Sequence, residues 1–471
     1  MIRRFRYVAL AALLCIVANR GGGQGINTLP ADLAAKVDAA VKQIVDRTHV
    51  PSASVGIVQN GRITYVAAFG HSRLEPPVQA SPAMRYAIGS ISKQFTTACI
   101  LILAEEGKLT LDDPLSRYFP ELTRASEVTI RNLLSHTSGY EDYAPQDYTI
   151  PAWTKPTTAQ AVVHEWATKP LDFDPGTQYQ YSNTNFNIVG LIVEKVSGQP
   201  FWKFLSSRVL EPLGMKQTID LDTQHNLLEP TGYFRNALGP LRPAVMEAPG
   251  WYFADGEMAM PPGDLLTWDI SLMNQSLLKP ASYTAMETPM KLKNGQTIGY
   301  ALGVGVGTRD GHRFVTHGGE VGGFVASNTV YPDDKVAIVV LTNQEASSAA
   351  GAINRAISVL LLPPAATPSA AAKAEAQATM ILGGLQKGAI DRTLFTANAN
   401  FFFDKTAIGD FASSLGPLGA IKTLRQTSTS LRGGMTFRTF DVEFANGTKV
   451  TLTTFTTTDG KLEQFLVDSP G

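Results

Sequence analysis

Gly89-Ser90-Ile91-Ser92-Lys93 is the stretch on which the reading of the chain turns. Met84-Arg85-Tyr86-Ala87-Ile88 precedes it as a short strand-like run ending at a glycine. Gln94 to Glu106 follows, rich in helix formers with an apolar face, up to a stop at Gly107. If the helix begins at Ser90, Lys93 lies one turn on and on the same face. An amine then stands beside a hydroxyl at the positive end of a helix dipole, a pairing that activates a serine without any histidine. Alone, Ser-x-x-Lys equally describes a helix cap followed by a surface lysine, so its meaning depends on partners elsewhere in the chain.

Working outward, Leu33 to Arg47 has helical spacing, with Leu33, Val37, Val41, Ile44 and Val45 on one side. Ser52 to Val58 and Ile63 to Val66 flank Asn60-Gly61 and read as a β-hairpin. Lys108 to about Leu210 is mainly helical with proline-rich breaks, including helices over Phe186 to Val196 and Trp202 to Leu210. A further helix starts near Asp264. From Arg313 the period returns to two, with strands at Val315 to His317, Phe324 to Tyr331 and Val336 to Leu341, before a helix over Ala346 to Leu361. Strands at both ends and helices between predict one antiparallel sheet closed by distant parts of the chain. The fold class is α+β, an α/β sandwich with an additional all-helical region.

Residues 362–371, which include Leu362-Pro363-Pro364-Ala365-Ala366-Thr367-Pro368-Ser369, read as a linker by composition. Residues 372–471 then form a second module. Helices at Ala371 to Gln386 and Lys405 to Leu415 precede strands near Ile421–Ser430, Thr436–Phe444, Lys449–Thr457 and Lys461–Val467, with turns at Asn446-Gly447 and Asp459-Gly460. This is a small α+β unit similar to cystatin-like or nuclear-transport-factor-like rolls, a resemblance that implies a lid, dimerisation or binding role.

The 471 residues are 44% hydrophobic and 17% charged, with a net charge of −1, which gives no electrostatic case for a nucleic-acid partner. Arg3, Arg4 and Arg6, then an apolar run from Tyr7 to Ala18, then small and polar residues to Gly25, read as a cleaved signal peptide over 1–25. The apolar run is too short for a comfortable span, so the expectation is a periplasmic or secreted protein with no stable membrane span. Of the two cysteines, Cys15 leaves with the signal and Cys99 stays as a buried packing residue, so no intramolecular disulfide is expected.

The partners exist. Tyr181-Ser182-Asn183 sits just before a helix, in a loop bounded by Pro175-Gly176, and His317-Gly318-Gly319 closes a strand before Gly322-Gly323-Phe324 opens the next. With Ser90/Lys93, these motifs resemble those of the serine hydrolases related to class C β-lactamases and penicillin-recognising DD-peptidases, in the same order. Leu133-Leu134-Ser135-His136-Thr137-Ser138-Gly139 and Ala254 to Trp268 are similar to family stretches as well, and the likeness covers about 29–361 within a domain of 26–361.

By residue type, Ser90 would attack an acyl carbon and form an acyl-enzyme. Lys93 and Tyr181 are both candidate general bases; at its reference pKa only about one lysine in a few thousand is neutral at pH 7. Asn183, His317, Gly318 and Gly319 would bind and orient substrate. The resemblance implies an oxyanion hole at the backbone N–H groups of Ser90 and Glu320. His136 reads as structural, holding a loop near the cleft, and Trp251, Tyr252 and Phe253 as pocket lining or core. His312 and His317 have poor metal-ligand spacing, and neither metal nor cofactor is expected. The departure is His317 where β-lactamases carry lysine, because a mostly neutral imidazole suits a substrate carboxylate poorly. The expected activity is hydrolysis of small esters or D-amino-acid peptides and amides. A β-lactamase, or a non-catalytic penicillin-binding sensor, is the alternative.

Overall fold

The computed structural model describes residues 25–146, 148–363 and 370–468. The signal sequence read over 1–25 therefore lies, except for Gly25, outside the described residues, as does the linker from Pro364 to Ser369. The chain divides into two compact units, Met1–Pro363 and Pro364–Gly471.

In the first unit, α1 (Ala31–Thr48) leads into β1 (Ser52–Gln59) and β2 (Arg62–Arg73). Asn60 and Gly61 both have positive φ, 53° and 71°, as the tight hairpin turn between those strands requires. A short β3 (Val78–Gln79) follows, then α2 (Ser92–Glu105), α3 (Asn183–Ser197) and α4 (Pro262–Asn274). The chain returns to the sheet with β4 (Gly305–Arg309), β5 (His312–Val321), β6 (Phe324–Tyr331) and β7 (Val336–Thr342), and ends on α5 (Ala349–Leu361). The seven strands run in the order β3-β2-β1-β7-β6-β5-β4, all antiparallel. The seam is β1 against β7, with Ala53 opposite Thr342 and Val58 opposite Ala337.

Strand alternation sends opposite sets of side chains to the two faces of this sheet. Val55, Ile57, Ile338 and Val340 meet Val37, Val41 and Ile44 of α1 and Ile353 and Ile357 of α5 in one buried cluster. Val339 and Leu341 point the other way, into the larger core shared with Leu265 and Leu266 of α4 and with α2. Each of these aliphatic side chains contributes about 1.5–3 kcal/mol on full burial. Gly56 admits α4: a Cβ there would lie 2.7 Å from Leu266 Cδ1.

Several boundaries differ from the sequence reading. The helix expected to begin at Ser90 starts at Ser92, and Gly89–Ile91 is a 3-10 turn. The apolar face expected on it is in fact an all-round one, since every residue from Ser92 to Leu103 is buried. The strand expected over Val315 to His317 extends over ten residues, His312–Val321, so His317 lies within it and no turn occurs at Gly318-Gly319. The reversal falls at Gly322-Gly323, and His312 opens the strand. Strand β4 was not anticipated, its glycines at 305 and 307 diluting the alternation. The last helix starts at Ala349 rather than Ala346.

In the second unit, α6 (Ala370–Leu385) and α7 (Lys405–Leu415) precede an antiparallel sheet in the order β8 (Ile421–Arg432), β9 (Met435–Phe444), β10 (Lys449–Thr456) and β11 (Leu462–Asp468). Ile381, Leu382 and Leu385 of α6 bury against Phe440, Leu452 and Phe465. Among the described residues no helix is long and apolar enough to cross a membrane.

Candidate active site

The 3-10 turn holds Ser90 at the floor of a cavity of about 760 Å³. Lys93 is fully buried one turn along, and its Nζ donates to Ser90 Oγ at 2.9 Å, Asn183 Oδ1 at 2.7 Å and the Asp255 carbonyl at 2.8 Å. Three acceptors satisfy the three donors of the ammonium. Burial nevertheless pushes Lys93 down to about 8, against the opposing pull of Asp255 and Asp142.

Asn183 is itself held at the start of α3. Its backbone N–H, which has no partner within the helix, donates to Asp142 Oδ1 at 2.8 Å, while its Nδ2 approaches Asp142 Oδ2 and the Ala144 carbonyl at 3.4 Å each. The amide oxygen of Asn183 is thereby aimed at Lys93. Tyr181 stands two residues earlier, with its ring centroid 5.1 Å from Lys93 Nζ. Its hydroxyl is buried without a formed hydrogen bond, and burial raises the phenol well above its ordinary range, an effect that proximity to Ser90 opposes.

Strand β5 closes the other side, and two glycines set how near it comes. A Cβ on Gly319 would lie 1.8 Å from the Ile88 carbonyl oxygen and 3.1 Å from Ser90 N, and one on Gly89 would lie 2.7 Å from Glu320 N. Gly89 also has φ +50°, a region costly for residues with a Cβ. The backbones carrying Ser90 N and Glu320 N are therefore in direct contact with no side chain between them. His317, on the same strand, lines the cavity with its ring centroid 6.2 Å from that of Tyr181. Its Nδ1–H donates to the Gly318 carbonyl at 2.5 Å and its Nε2 pairs with the Tyr300 hydroxyl at 2.8 Å. Burial pushes the imidazole down to about 4, so it is neutral at pH 7.

The structure thus brings Ser90, Lys93, Tyr181, Asn183, His317, Gly318, Gly319 and Glu320 around one cavity. His136 holds the Tyr181 loop, its Nδ1 accepting from Ser182 N at 3.1 Å and its ring 4.1 Å from that of Tyr181. Trp251 and Tyr252 line the cavity, whereas Phe253 packs on Phe201 at 5.3 Å. Phe253 has φ 31°, unusual for a bulky residue, and the strained turn presents the Asp255 carbonyl to Lys93.

Residues the sequence did not single out are Asp142, Tyr143, Asp255, Tyr300, Glu247 and Glu345. Asp255 is raised to about 8 by burial. Its carboxyl in the neutral form can donate to Tyr143, whose own O–H donates to the Trp251 carbonyl at 2.6 Å. Asp255 lies inside the quoted stretch from Ala254 to Trp268, which offered a signal; Tyr300 had none. Among the described residues no group of histidines, cysteines and carboxylates is placed to hold a metal ion. Chemically, the arrangement offers a hydroxyl in contact with an amine of lowered pKa, a neutral phenol as proton donor, and two adjoining backbone segments.

Residues 37–361 match the family described as Beta-lactamase, and since this is well over half of the sequence the chain belongs to that family of hydrolases. Among individual relatives, it is 28% identical over 322 residues to the protein flp of Staphylococcus aureus, covering 65% of this chain and 62% of that one. The chain thus spans under two thirds of the length of the relatives of this kind that it matches. Its fold is similar to that of a D-stereospecific amidohydrolase from Streptomyces sp., with a TM-score of 0.60, 26% identity, and coverage of 69% of this chain and 98% of the other. It is also similar to the octameric penicillin-binding protein homologue from Pyrococcus abyssi, with a TM-score of 0.61, 21% identity, and coverage of 92% and 99%.

Proposed function

We propose that the chain is an exported serine hydrolase that forms an acyl-enzyme on Ser90 and turns over small esters or D-amino-acid amides and peptides. The carrying observation is the 2.9 Å contact between Ser90 Oγ and a buried lysine lowered to about 8. At that pKa about one Lys93 in ten is neutral at pH 7, against one in a few thousand for a free lysine. Tyr181, raised by burial, keeps its proton at pH 7 and so stands ready as the proton donor rather than as the base. Neutral Lys93 takes the Ser90 proton as Oγ bonds to the acyl carbon. The Tyr181 O–H protonates the leaving group and is restored from Lys93. Water then attacks the ester on Ser90, giving up its proton by the same route, and the acid leaves. The backbone N–H groups of Ser90 and Glu320 receive the oxyanion; losing one such donor costs about a hundredfold to a thousandfold.

The choice of substrate rests on charge. Asp142, Asp255, Glu247, Glu320 and Glu345 line the cavity, and among the described residues no lysine or arginine does. Burial favours the neutral forms of Asp142, Asp255, Glu247 and Glu345, and with a neutral His317 the lining offers no cation beyond Lys93 to pair with a carboxylate, which favours a substrate without one. The amidohydrolase from Streptomyces sp. supports the amide branch of this reading.

Incubation with a fluorophosphonate followed by intact-mass measurement tests the nucleophile. A single adduct on Ser90 that is lost in Ser90→Ala is expected; an adduct that persists in that variant would sink the assignment. Stable penicilloylation with no turnover of any ester or D-amino-acid amide would instead favour the sensor alternative. Export rests on the basic and apolar N-terminal run, and N-terminal sequencing of the mature protein should begin near residue 26.

A further inference from the structure

Four hydrogen bonds join the loop carrying Tyr181 to the strand carrying Gly318, and their directions are mutually constrained. Ser182 N–H donates to His136 Nδ1 at 3.1 Å, so that nitrogen bears no proton. Asn185 Nδ2 approaches the same nitrogen at 3.4 Å, also as a donor. A neutral His136 therefore carries its proton on Nε2 and donates it to the Tyr300 oxygen at 3.3 Å. At the far end, the Gly318 carbonyl can only accept, so His317 carries its proton on Nδ1 and keeps a lone pair on Nε2. The Tyr300 O–H then has one place to go, His317 Nε2 at 2.8 Å. Every ring nitrogen and the phenol oxygen is used once per proton, with backbone at both ends. Both imidazoles are buried and lowered, with the Lys93 charge adding to the effect.

We propose that Tyr300 is a specificity-determining residue: by donating to Nε2 of His317 it leaves that cavity-facing imidazole no proton to offer a substrate carboxylate. The proposal deepens the reading of the site as a hydrolase for esters and amides and rests on it. His136 is a positioning residue in the same chain, because its tautomer fixes the direction of the Tyr300 proton. An imidazolium at 317 would point an N–H at a hydroxyl already receiving one from His136, leaving the Tyr300 proton without an acceptor. In Tyr300→Phe that restraint is gone. Nε2 can then take a proton as a substrate carboxylate enters the cavity and counters the burial that otherwise keeps the ring neutral.

Two measurements on the full chain test this. The first is the long-range nitrogen–proton NMR spectrum of histidine-labelled protein at pH 7, assigned with His136→Asn and His317→Asn. Neutral rings are expected, protonated at Nδ1 in His317 and at Nε2 in His136; an imidazolium or the opposite tautomer at His317 would overturn the proposal. The second is the rate of Ser90 acylation by benzylpenicillin divided by that with p-nitrophenyl acetate. Tyr300→Phe should raise this ratio about fivefold, the worth of one ordinary hydrogen bond; an unchanged or lower ratio overturns it. If the wild type is acylated by neither compound, the hydrolase reading fails while the spectrum still decides the proton order. The spectrum of the wild type also decides it should Tyr300→Phe not fold.

Discussion

On one wall of the cleft, Lys93 Nζ reaches three oxygens within 2.9 Å, and the Tyr181 hydroxyl beside it has no formed partner. On the other, His317 has both nitrogens occupied and Gly318 and Gly319 bring no side chain at all. The first wall holds proton-transfer capacity in reserve, while the second brings no cation and supplies shape. The comparison teaches that the groups able to move a proton and the groups that shape the cavity are housed separately here. On the function proposed above, the Ser90–Lys93 pair would attack the acyl group and the strand would select which acyl groups arrive.

Breaking the first wall should have the largest effect. Ser90→Ala is expected to lower kcat by at least about ten thousandfold, measured with any ester the wild type turns over. Lys93→Met should follow, at about a thousandfold. The wild-type pH profile sharpens this expectation. A lysine lowered to about 8 is inactive as a base when protonated, so kcat/KM should rise with pH and level off above about pH 8. A profile flat from pH 6 to 9 would remove Lys93 from the proton route.

The second wall should yield smaller losses of a different kind. Gly319→Ala places a methyl group 1.8 Å from the Ile88 carbonyl, and separating the two backbones should cost about a hundredfold in kcat with the fold retained by circular dichroism. His317→Lys places a cation on that wall. It should move the ratio of penicillin to neutral-ester acylation upward by about tenfold, the equivalent of one charged contact. The smallest effect is expected from a chain ended after Pro363. The first unit is compact by itself, so ester turnover should change by less than about twofold. A loss of folding would make the second unit part of the catalytic body.

Legibility in the sequence tracked how local each determinant was. Asn60-Gly61 and the alternation of β6 and β7 announced the sheet, because turn chemistry and two-residue periodicity are written in consecutive residues. The three motifs at Ser90, Tyr181 and His317 could be placed in one cleft because their order along the chain resembles that of a known family, while the choice of base between Lys93 and Tyr181 stayed open. The glycines of β5 look in the sequence like a strand end, but they belong to the interior of a strand that needs their missing side chains to touch Ile88. Tyr300 stayed silent because its role exists only through His136 and His317, far away in the sequence, and no spacing rule links them. Likewise, the lowered basicity of Lys93 follows from all-round burial of α2, a property of the packed molecule.

The contact between Gly319 and Ile88 carries one more consequence. It joins parts of the chain far apart in sequence, as does the pairing of β7 with β1 that brings Thr342 against Ala53. A partly assembled molecule in which this contact has not formed would have Ser90 without the neighbouring Glu320 backbone. Covalent labelling of Ser90 by a mechanism-based probe thus doubles as a stopwatch for completed folding. Its appearance during refolding should coincide with closure of the β1–β7 seam rather than with formation of α2.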